Sequence, residues 1–378
     1  MMARIVCDAD PFCYGPVATL LTVVKHLLTS GHHITFIGAG TALELAERQS
    51  NISVVACNTN STADCRQALE AAGGADILLS VLGDASIHAA NALEIPVAYI
   101  DVLFWIWPSA VEEHLRNADL YFIENHFEAG QKLEQLKGVI RNPHLVGPII
   151  DASFRASGKR KNQLLVSYGG VDSMATTSGR DTRYHVIMTQ LLLEALEAEN
   201  PFDQVCVAAG ARAIEGLERV FSTSGVQFVS LSHDDFLRQL AASRCLLTQP
   251  GLSTPVEAFA YSTPAFFLPP MNYTQVLQLR RFEAKGAAPY HLSWDSLYAE
   301  CLIPEQLGEG EGITQVLTRI SWLEQDSDTR RRIRDRISDF ISRPHSIMDG
   351  IRAVQIDFFN SLGADGATSV SNRINNFL

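Results

Sequence analysis

The residues best suited to chemistry lie in one short stretch, where a glycine, two hydroxyls and a carboxylate follow an apolar run. Gly251 comes just after the apolar residues 245–249, and Ser253, Thr254 and Glu257 follow it. A glycine turn lets the backbone approach a ligand, and the free N–H groups of a helix that begins there attract an anion. The hydroxyls add donors, and a carboxylate one turn into the helix is suited to a pair of ribose hydroxyls. The spacing therefore indicates an anion site.

Two further polar side chains open the next predicted helix. Asn272 and Gln275 lie at its start, where their amides are suited to sugar hydroxyls. Each residue of the stretch also has an ordinary structural explanation when taken alone. Gly251 can simply turn the chain, and Glu257 can simply be a carboxylate near a helix N-terminus. The combination in this order is what points to function.

The elements that would position these residues are a strand, a glycine turn, a helix, a second strand, a polar loop and a second helix. The first apolar run has the length of a buried parallel strand. Ser253 or Thr254 is predicted to cap the helix that follows. Residues 265–268 form the second strand, and the helix that starts near Asn272 ends at Gly286.

The same alternation of strand and helix runs through the rest of the chain. It indicates parallel pairing and doubly wound sheets. The predicted strands are 3–9, 33–37, 52–57, 76–82, 96–100 and 120–123 in the N-terminal half, then 163–168, 204–208, 226–231, 245–249 and 265–268.

A family resemblance rests on the whole stretch. Gly251-x-Ser253-Thr254-x-x-Glu257-Ala258, then Thr263-Pro264, then Pro269-x-x-Asn272-x-x-Gln275, resembles the donor-site segment of GT-B glycosyltransferases. The likeness is greatest to the inverting, nucleotide-sugar-dependent branch that includes the peptidoglycan lipid II N-acetylglucosamine transferase. It implies that the Gly/Ser/Thr turn faces a diphosphate, that Glu257 binds ribose, and that Asn272 and Gln275 face the donor sugar. The N-terminal half and the Asn-Tyr-Thr-Gln loop also resemble cytosylglucuronate synthases of nucleoside-antibiotic pathways.

The resemblance sets the expected fold class and domains. The class is α/β, of the GT-B type, with two Rossmann-like doubly wound parallel-sheet domains facing each other across a cleft. Residues 1–150 are expected to bind the acceptor and residues 163–345 the nucleotide sugar, with a polar linker at 151–162. Residues 346–378 are expected to hold a helix, at 347–362, that crosses back to the first domain, followed by a tail that looks disordered in composition.

Further donor-binding residues are expected where strands of the second domain end, because ligands of doubly wound sheets bind there. Gly169 and Gly170 end its first strand, where two glycines let amides approach a phosphate. Arg212 follows the next strand and can pair with a phosphate or a sugar carboxylate. Leu231 ends the third strand, in a region where the resembled family reads the nucleobase through backbone groups.

Acceptor-binding residues are expected at strand ends of the first domain, and they are Tyr14, Asp101, Phe104, Trp105 and Trp107. The two tryptophans lie in one loop and are suited to stacking on a flat acceptor such as a nucleobase. This agrees with the cytosine acceptor that the resemblance to cytosylglucuronate synthases implies. The alternative is a loop that packs on its own core.

Inverting transfer needs a base that takes the acceptor proton, and its oxocarbenium-like transition state is favoured by a nearby carboxylate. Asp10, in the loop after the first strand, is the predicted base, and Glu124 is the second catalytic candidate. Asp101 is a second choice beside Glu124, and His126 is a further candidate base, although a histidine at such a place is more often on the surface. For Asp8 the alternative is a structural role at the strand end. The sequence does not rank these residues further.

Composition argues against several classes of protein. The net charge is −12, which disfavours a nucleic-acid polymer or an anionic membrane as partner. The seven cysteines are scattered without a CxxC pair, so neither a disulfide framework nor a zinc site is predicted. The sequence has no GxGxxG after its first strand and no GxxxxGK[ST]. The absence of a signal peptide or a long apolar run leads us to expect a cytoplasmic protein.

The expected function is metal-independent, inverting glycosyl transfer from a nucleotide diphosphate sugar to a small acceptor. The resemblance implies UDP-glucuronate as donor and cytosine as acceptor, giving cytosylglucuronate. No cofactor is expected besides the UDP-sugar, which is a co-substrate. Alternatives are transfer to another small natural product, an isomerase like the UDP-sugar 2-epimerases, and a protein that binds a nucleotide sugar without turnover. The expected partners are small-molecule substrates, and the oligomeric state stays open, a homodimer included.

Overall fold

A computed structural model describes residues 2–106, 111–154, 160–169 and 183–378. Two predicted site residues, Trp107 and Gly170, lie outside the described residues. The chain divides into two compact units. The first comprises Met1–Asp151 and Asn360–Leu378, and the second comprises Ala152–Phe359.

The elements up to residue 151 alternate between strand and helix. They are β1 (Arg4–Ala9), α1 (Gly15–Thr29), β2 (His33–Gly38), α2 (Gly40–Ala46), β3 (Ser53–Ala56), α3 (Thr62–Ala71), β4 (Ile77–Val81), α4 (Ala85–Ala92), β5 (Val97–Asp101), α5 (Glu113–Arg116), β6 (Leu120–Glu124), α6 (Ala129–Gln135) and β7 (Pro143–Val146).

The strands of the first unit form one seven-stranded sheet, in the order β3-β2-β1-β4-β5-β6-β7. All six pairings are parallel, with Val6 opposite Thr35 on one side and Leu78 on the other. Strands β4, β5 and β6 are buried along their whole length, which suits their nearly continuous apolar sequences. The two faces of the sheet carry separate hydrophobic clusters, one including α1 and the other including α3 and α4.

The elements after residue 160 are β8 (Gln163–Gly169), α7 (Arg183–Ala198), β9 (Gln204–Ala209), α8 (Ala211–Phe221), β10 (Gln227–Val229), α9 (His233–Ala242), β11 (Cys245–Thr248), α10 (Ser253–Ala260), β12 (Ala265–Phe267), α11 (Tyr273–Ala284), α12 (Trp294–Leu297), α13 (Glu309–Trp322), α14 (Ser327–Ile341), α15 (His345–Ser361) and α16 (Gly366–Phe377).

The second unit is built on a five-stranded parallel sheet in the order β10-β9-β8-β11-β12. Its outer strand β12 is completed by a side chain of α15. The Gln355 side chain accepts a hydrogen bond from the N–H of Ala265 at 3.0 Å and donates to the carbonyls of Ala265 and Ala287, at 2.9 and 3.2 Å. One buried amide therefore satisfies backbone groups that a further strand would otherwise pair.

The last helix, α16, belongs to the first unit. Ala367, Val370 and Ile374 are fully buried and join the cluster that contains α1. The contact needs a glycine on each side: a Cβ on Gly147 would lie 1.6 Å from the carbonyl oxygen of Ala364, and a Cβ on Gly366 would lie 2.0 Å from that of Gly147. Backbone thus packs against backbone where the chain returns to its first sheet.

The predicted doubly wound, parallel-sheet α/β class is confirmed, and each of the eleven predicted strands is present. Two expectations about the C-terminal region differ from the structure. Helix α15, which covers most of 347–362, lies mainly in the second unit, and α16 is the helix that returns to the first. The tail that looked disordered is this helix, because its few apolar residues lie on one face and α1 covers them. None of the helices in the described part of the chain has both the length and the apolar character that a membrane crossing requires.

Candidate functional site

The predicted donor residues of the second unit gather at the carboxyl end of its sheet. Strand β8 is central, with β9 on one side and β11 on the other. It ends at Gly169, whose φ of +63° lies in the left-handed region that favours glycine. The carbonyl of Gly169 accepts a hydrogen bond from the N–H of Gly210, at 3.0 Å, so the ends of β8 and β9 are tied together.

Two helices begin at this edge without a side-chain cap. Gly210 is the N-cap residue of α8, and Leu252 is the N-cap residue of α10; neither side chain can accept a hydrogen bond from the first turn. By contrast, Ser232 caps α9 and Asn272 caps α11. No N-cap side chain therefore satisfies the first-turn amides of α8 and α10. These helices follow β9 and β11, the two strands that flank β8.

Gly251 lies where β11 turns into α10. Its N–H donates to the carbonyl of Gln249 at 2.9 Å. A Cβ built at this position meets no atom of the described residues within 4 Å, and the backbone is not in the left-handed region. The packing of the described chain thus places no demand for glycine here, and the space beside the turn is open.

Ser253 and Thr254 were expected to cap the helix that follows, but they form its first turn instead. This places both hydroxyls beside the uncapped amides. Arg212 lies in the corresponding first turn of α8. Leu231 is part-buried just before α9.

Glu257 has a partner that the sequence did not indicate. Its side chain is 4% exposed, and Oε1 lies 2.7 Å from Nε2 of His233, itself 6% exposed. His233 is the first residue of α9 and Glu257 lies one turn into α10, so the pair joins these two helices. Nδ1 of His233 is buried with no hydrogen-bond partner among the described residues. The imidazole fixes the orientation of the carboxylate.

Asn272 and Gln275 cap α11 together. Oδ1 of Asn272 accepts from the N–H of Gln275 at 2.9 Å, and Oε1 of Gln275 accepts from the N–H of Met271 at 2.7 Å. Asn272 thus caps the helix from its N-cap position, while Gln275 reaches back to the backbone of Met271, the residue before the N-cap. Both side-chain oxygens are therefore engaged by backbone, and the amide nitrogens are the groups that remain to donate.

In the first unit, two carboxylates follow β1. Asp8 is fully buried, and burial raises its pKa to about 6; the nearby hydroxyls of Ser86 and Ser80 lower the pKa, and Asp10 raises it. Within the described residues no group reaches either Asp8 oxygen with hydrogen-bond geometry. Asp8 is therefore enclosed at the end of β1, and its structural role stays a prediction.

Asp10 is only part-buried. Burial raises its pKa to about 6, and a hydrogen bond from the N–H of Phe12 to Oδ1, 2.9 Å long, lowers it in part. A carboxylate with this pKa is ionised at neutral pH and is a stronger base than an ordinary aspartate.

Asp101 and Glu124 are engaged in supporting the fold. Asp101 is fully buried, with Oδ1 accepting from the N–H of Leu103 at 2.9 Å and Oδ2 from the hydroxyl of Tyr121 at 2.6 Å. Glu124 is buried, and its Oε1 accepts from the N–H of Ile149 at 2.7 Å. The same oxygen lies 3.3 Å from Nε2 of His126. His126 was expected at the surface but is 1% exposed.

The aromatic acceptor residues of the described chain differ in exposure. Phe104 is fully buried, and Nζ of Lys132 lies 5.0 Å from its ring centre. Trp105 is part-buried, with its ring edge-on to Phe127 at 4.8 Å and its indole N–H buried without a partner among the described residues. The hydroxyl of Tyr14 donates to Glu44 at 2.7 Å. Trp105 and Tyr14 thus keep exposed surface, whereas Phe104 has none for stacking.

The fold also assembles side chains that can hold a metal. The sequence shows no metal-ligand motif, and none was predicted, yet Asp84, His88 and His114 offer ligand atoms within 4.8 Å of one another. Asp84 and His88 are one helical turn apart, and His114 comes from a separate element. Because His114 is far from Asp84 and His88 in the sequence, no sequence pattern reveals the cluster.

No protein-family model matches the chain, and no curated protein sequence matches it. Solved structures do match in fold. Os79 from O. sativa, in a complex that includes a trichothecene, aligns with a TM-score of 0.61 at 13% identity, over 98% of this chain and 99% of that one. The glycotransferase of kitacinnamycin aligns with 0.59 at 14%, over 100% and 99%. The spinosyn rhamnosyltransferase SpnG, complexed with thymidine diphosphate, aligns with 0.53 at 12%, over 98% and 100%.

Identities this low establish a shared fold and no more. The match nevertheless spans nearly the whole length of each chain and includes both parallel sheets. The fold of this chain is accordingly the two-domain, parallel-sheet α/β fold of GT-B glycosyltransferases.

Proposed function

We propose that this protein is an inverting glycosyltransferase that moves a sugar from a nucleoside diphosphate to a small acceptor. Structures of the same fold include one of Os79 with UDP and one of SpnG with thymidine diphosphate. The observation that carries the proposal is the pair of uncapped helices, α8 and α10, on the two strands beside β8.

A diphosphate suits this edge of the second sheet. Its negative charge is complementary to the positive dipole ends of the two helices, whose N-cap residues supply no side-chain cap. The hydroxyls of Ser253 and Thr254 lie in the first turn of α10, and Arg212 lies in that of α8. Open space beside Gly251 admits a phosphate to the backbone. Charge on the departing diphosphate would be stabilised by these preorganised donors.

The neighbouring groups suit the rest of a nucleotide sugar. The carboxylate of Glu257, held by His233, is the proposed acceptor for the two ribose hydroxyls. Because backbone occupies the oxygens of Asn272 and Gln275, their amide nitrogens are the proposed donors to sugar hydroxyls. Gly169, at the end of β8, and Leu231, between β10 and α9, are the proposed contributors of backbone groups to the donor site.

Asp10 is the proposed base. It takes the proton from the acceptor nucleophile as that atom forms a bond to the anomeric carbon, and the bond from this carbon to the diphosphate oxygen breaks. The diphosphate leaves with the bonding electrons, from the face opposite the attack, so the configuration inverts. Among the carboxylates considered, Asp10 alone combines partial exposure with a raised pKa.

The finer proposal is glucuronosyl transfer from UDP-glucuronate to cytosine. It is supported by the sequence resemblance to cytosylglucuronate synthases. Arg212 is the proposed partner of the glucuronate carboxylate, since guanidinium binds carboxylate with two hydrogen bonds. Trp105, whose ring is part-exposed, is the proposed surface for the flat acceptor.

Calorimetry with UDP tests the proposed donor site. Mass spectrometry of reactions with UDP-glucuronate and cytosine then tests the proposed sugar and acceptor. We expect UDP to bind and a cytosine glycoside to form. Binding of UDP with no product from cytosine would reject the cytosine acceptor while keeping the donor site. Conversion of the UDP-sugar without any acceptor would instead indicate an isomerase. A protein that binds no nucleoside diphosphate, whether of uridine, thymidine or another nucleoside, is not a nucleotide-sugar transferase.

Gly251→Ala sharpens the binding test. The added methyl meets nothing in the described chain within 4 Å, so thermal stability should be unchanged, but the methyl occupies the space proposed for phosphate. We expect UDP affinity to fall at least tenfold. The matched control is Gly308→Ala, a glycine that also precedes a helix and also faces open space. Equal UDP affinity in wild type and Gly251→Ala would remove the phosphate from this turn.

A further inference from the structure

The second site that the structure carries lies at the carboxyl end of β4 in the first unit. Asp84 follows this strand, His88 lies one turn into α4, and His114 lies in α5. Strand β4 lies between β1 and β5, so the cluster shares a sheet edge with Asp10 and Asp101. Neither the donor site nor the proposed base uses these three side chains.

The ligand atoms of the three side chains lie close together, within 4.8 Å of one another. Nε2 of His114 lies 2.5 Å from Oδ1 of Asp84, and Nε2 of His88 lies 4.0 Å from the same oxygen. The two imidazole rings are stacked, with centres 4.1 Å apart and an interplanar angle of 27°. Two ligands of a tetrahedral zinc ion, each about 2.0–2.1 Å from it, are about 3.3 Å apart. The 2.5 Å contact is a short hydrogen bond between His114 and Asp84, so an ion would replace that bond as the two ligand atoms move apart to this spacing.

The Asp84 carboxylate contacts the two histidines and does not cap its own helix. It is the N-cap residue of α4, where aspartate commonly accepts a hydrogen bond from the first turn. Its side chain makes no such bond, and the carboxylate faces the two imidazoles instead. A carboxylate that leaves its helix uncapped to reach two histidines is a second indication that the cluster binds a cation.

The other ring nitrogen of His114 has an acidic neighbour. Oε2 of Glu112 lies 3.7 Å from Nδ1. Metal-bound histidines usually pair their second nitrogen with a carboxylate or a carbonyl, which fixes the ring and makes it a better ligand. His114 is also the least exposed of the three, with 11% of its side chain accessible, so its ring is held in place.

From these contacts we propose that Asp84, His88 and His114 bind a divalent transition-metal ion, with zinc as the metal that fits best. Two imidazoles and one carboxylate suit Zn²⁺ and similar ions, whereas Mg²⁺ and Ca²⁺ prefer oxygen ligands. Three protein ligands leave a fourth position open to water or to a donor atom of a small molecule. The proposal is independent of the glycosyltransferase activity.

Zinc titration of the chelator-treated full-length protein, in competition with a chromophoric chelator, tests this proposal. We expect one tight equivalent per chain. His88→Ala and His114→Ala should each weaken that equivalent at least tenfold, and the double variant should abolish it. His345→Ala is the control, because this histidine is exposed on the second unit and joins no such cluster within the described part of the chain. It should bind zinc as the wild type does.

Cobalt(II) supplies a readout that identifies the ligands. Bound at this site, it should give visible d–d bands without the sulfur-to-metal charge-transfer band expected from a cysteine such as the exposed Cys301. Circular dichroism of each variant checks that the fold is kept. Tight zinc binding that persists in the double variant, or a cobalt spectrum with sulfur ligation, would overturn the proposal, as would the absence of a tight equivalent in the wild type.

Discussion

Replacement of Asp10 by asparagine offers the most discriminating test of the proposed mechanism. Burial raises the pKa of Asp10 from 3.8 to about 6. Since only the ionised carboxylate can take a proton, kcat/KM should follow an acidic limb with its midpoint near pH 6. At pH 5 about a tenth of the carboxylate is ionised, so the rate should be about a tenth of its plateau. Asp10→Asn should lower turnover by roughly 10²–10⁴-fold, the range for loss of a general base.

Asp8 must be separated from Asp10, because burial raises its pKa to about 6 as well. Asp8→Asn is the matched control. Asp8 is fully buried, so this variant should keep its activity and its acidic limb, with the midpoint moved slightly lower by removal of a neighbouring charge. The assay is UDP release measured from pH 4.5 to 8 over a range of substrate concentrations, so that kcat/KM is obtained at each pH. Full activity in Asp10→Asn, or loss of the limb in Asp8→Asn, would refute the assignment.

The raised pKa of Asp10 also predicts how the free energy of unfolding changes with pH. A folded-state pKa above the unfolded one means that the native protein holds the proton more tightly, so this contribution is largest below about pH 4 and is lost as the pH rises through about 6. A rise from 3.8 to about 6 corresponds to about 3 kcal/mol, at about 1.4 kcal/mol per pH unit. Asp10→Asn should therefore unfold at an equal or higher urea concentration at pH 7. An inactive variant that is also clearly less stable would count against a purely chemical role.

Two further predictions concern the packing of each unit. Gln355→Leu should lower the urea midpoint of the second unit, because backbone groups of Ala265 and Ala287 lose their hydrogen-bond partner at a cost of about 1–3 kcal/mol each. Val354→Ala, on the exposed face of the same helix, is the control and should leave the midpoint unchanged. Gly147→Ala should increase hydrogen exchange throughout α16, since the new methyl cannot fit beside the Ala364 carbonyl. Gly130→Ala, whose methyl would make an ordinary 3.4 Å contact, should leave that exchange slow.

The sheets could be predicted because their strands carry a local signal. Strand β4 is an apolar run, ILLSV, closed by Gly83 and Asp84, and it is buried along its length as such runs are in parallel sheets. Strand β7 escaped prediction because it is four residues long, begins with Pro143 and lies at the sheet edge, where proline is tolerated. Helix α16 escaped because only one face of a polar sequence is apolar, and the helix is stabilised by packing on α1.

The candidate sites also differ in whether a local sequence signal encodes them. The glycine turn at Gly251 and the hydroxyls after it form a continuous motif, so the sequence was sufficient to single them out. The pairing of Glu257 with His233, and the approach of His114 to Asp84, join residues from separate elements. No local spacing encodes such contacts. Only the order of strands in the sheet and the length of the connecting helices bring these groups together.

The return of α16 to the first sheet has a consequence for synthesis. The ribosome completes the strands of the first unit early, but their last packing partner, Gly366–Phe377, emerges only after all of residues 152–359. Until then the apolar face of α1 that receives Val370 and Ile374 stays uncovered. The first unit therefore stays incompletely packed while the second is synthesised. During this interval the nascent chain exposes the most apolar surface to chaperones and to aggregation.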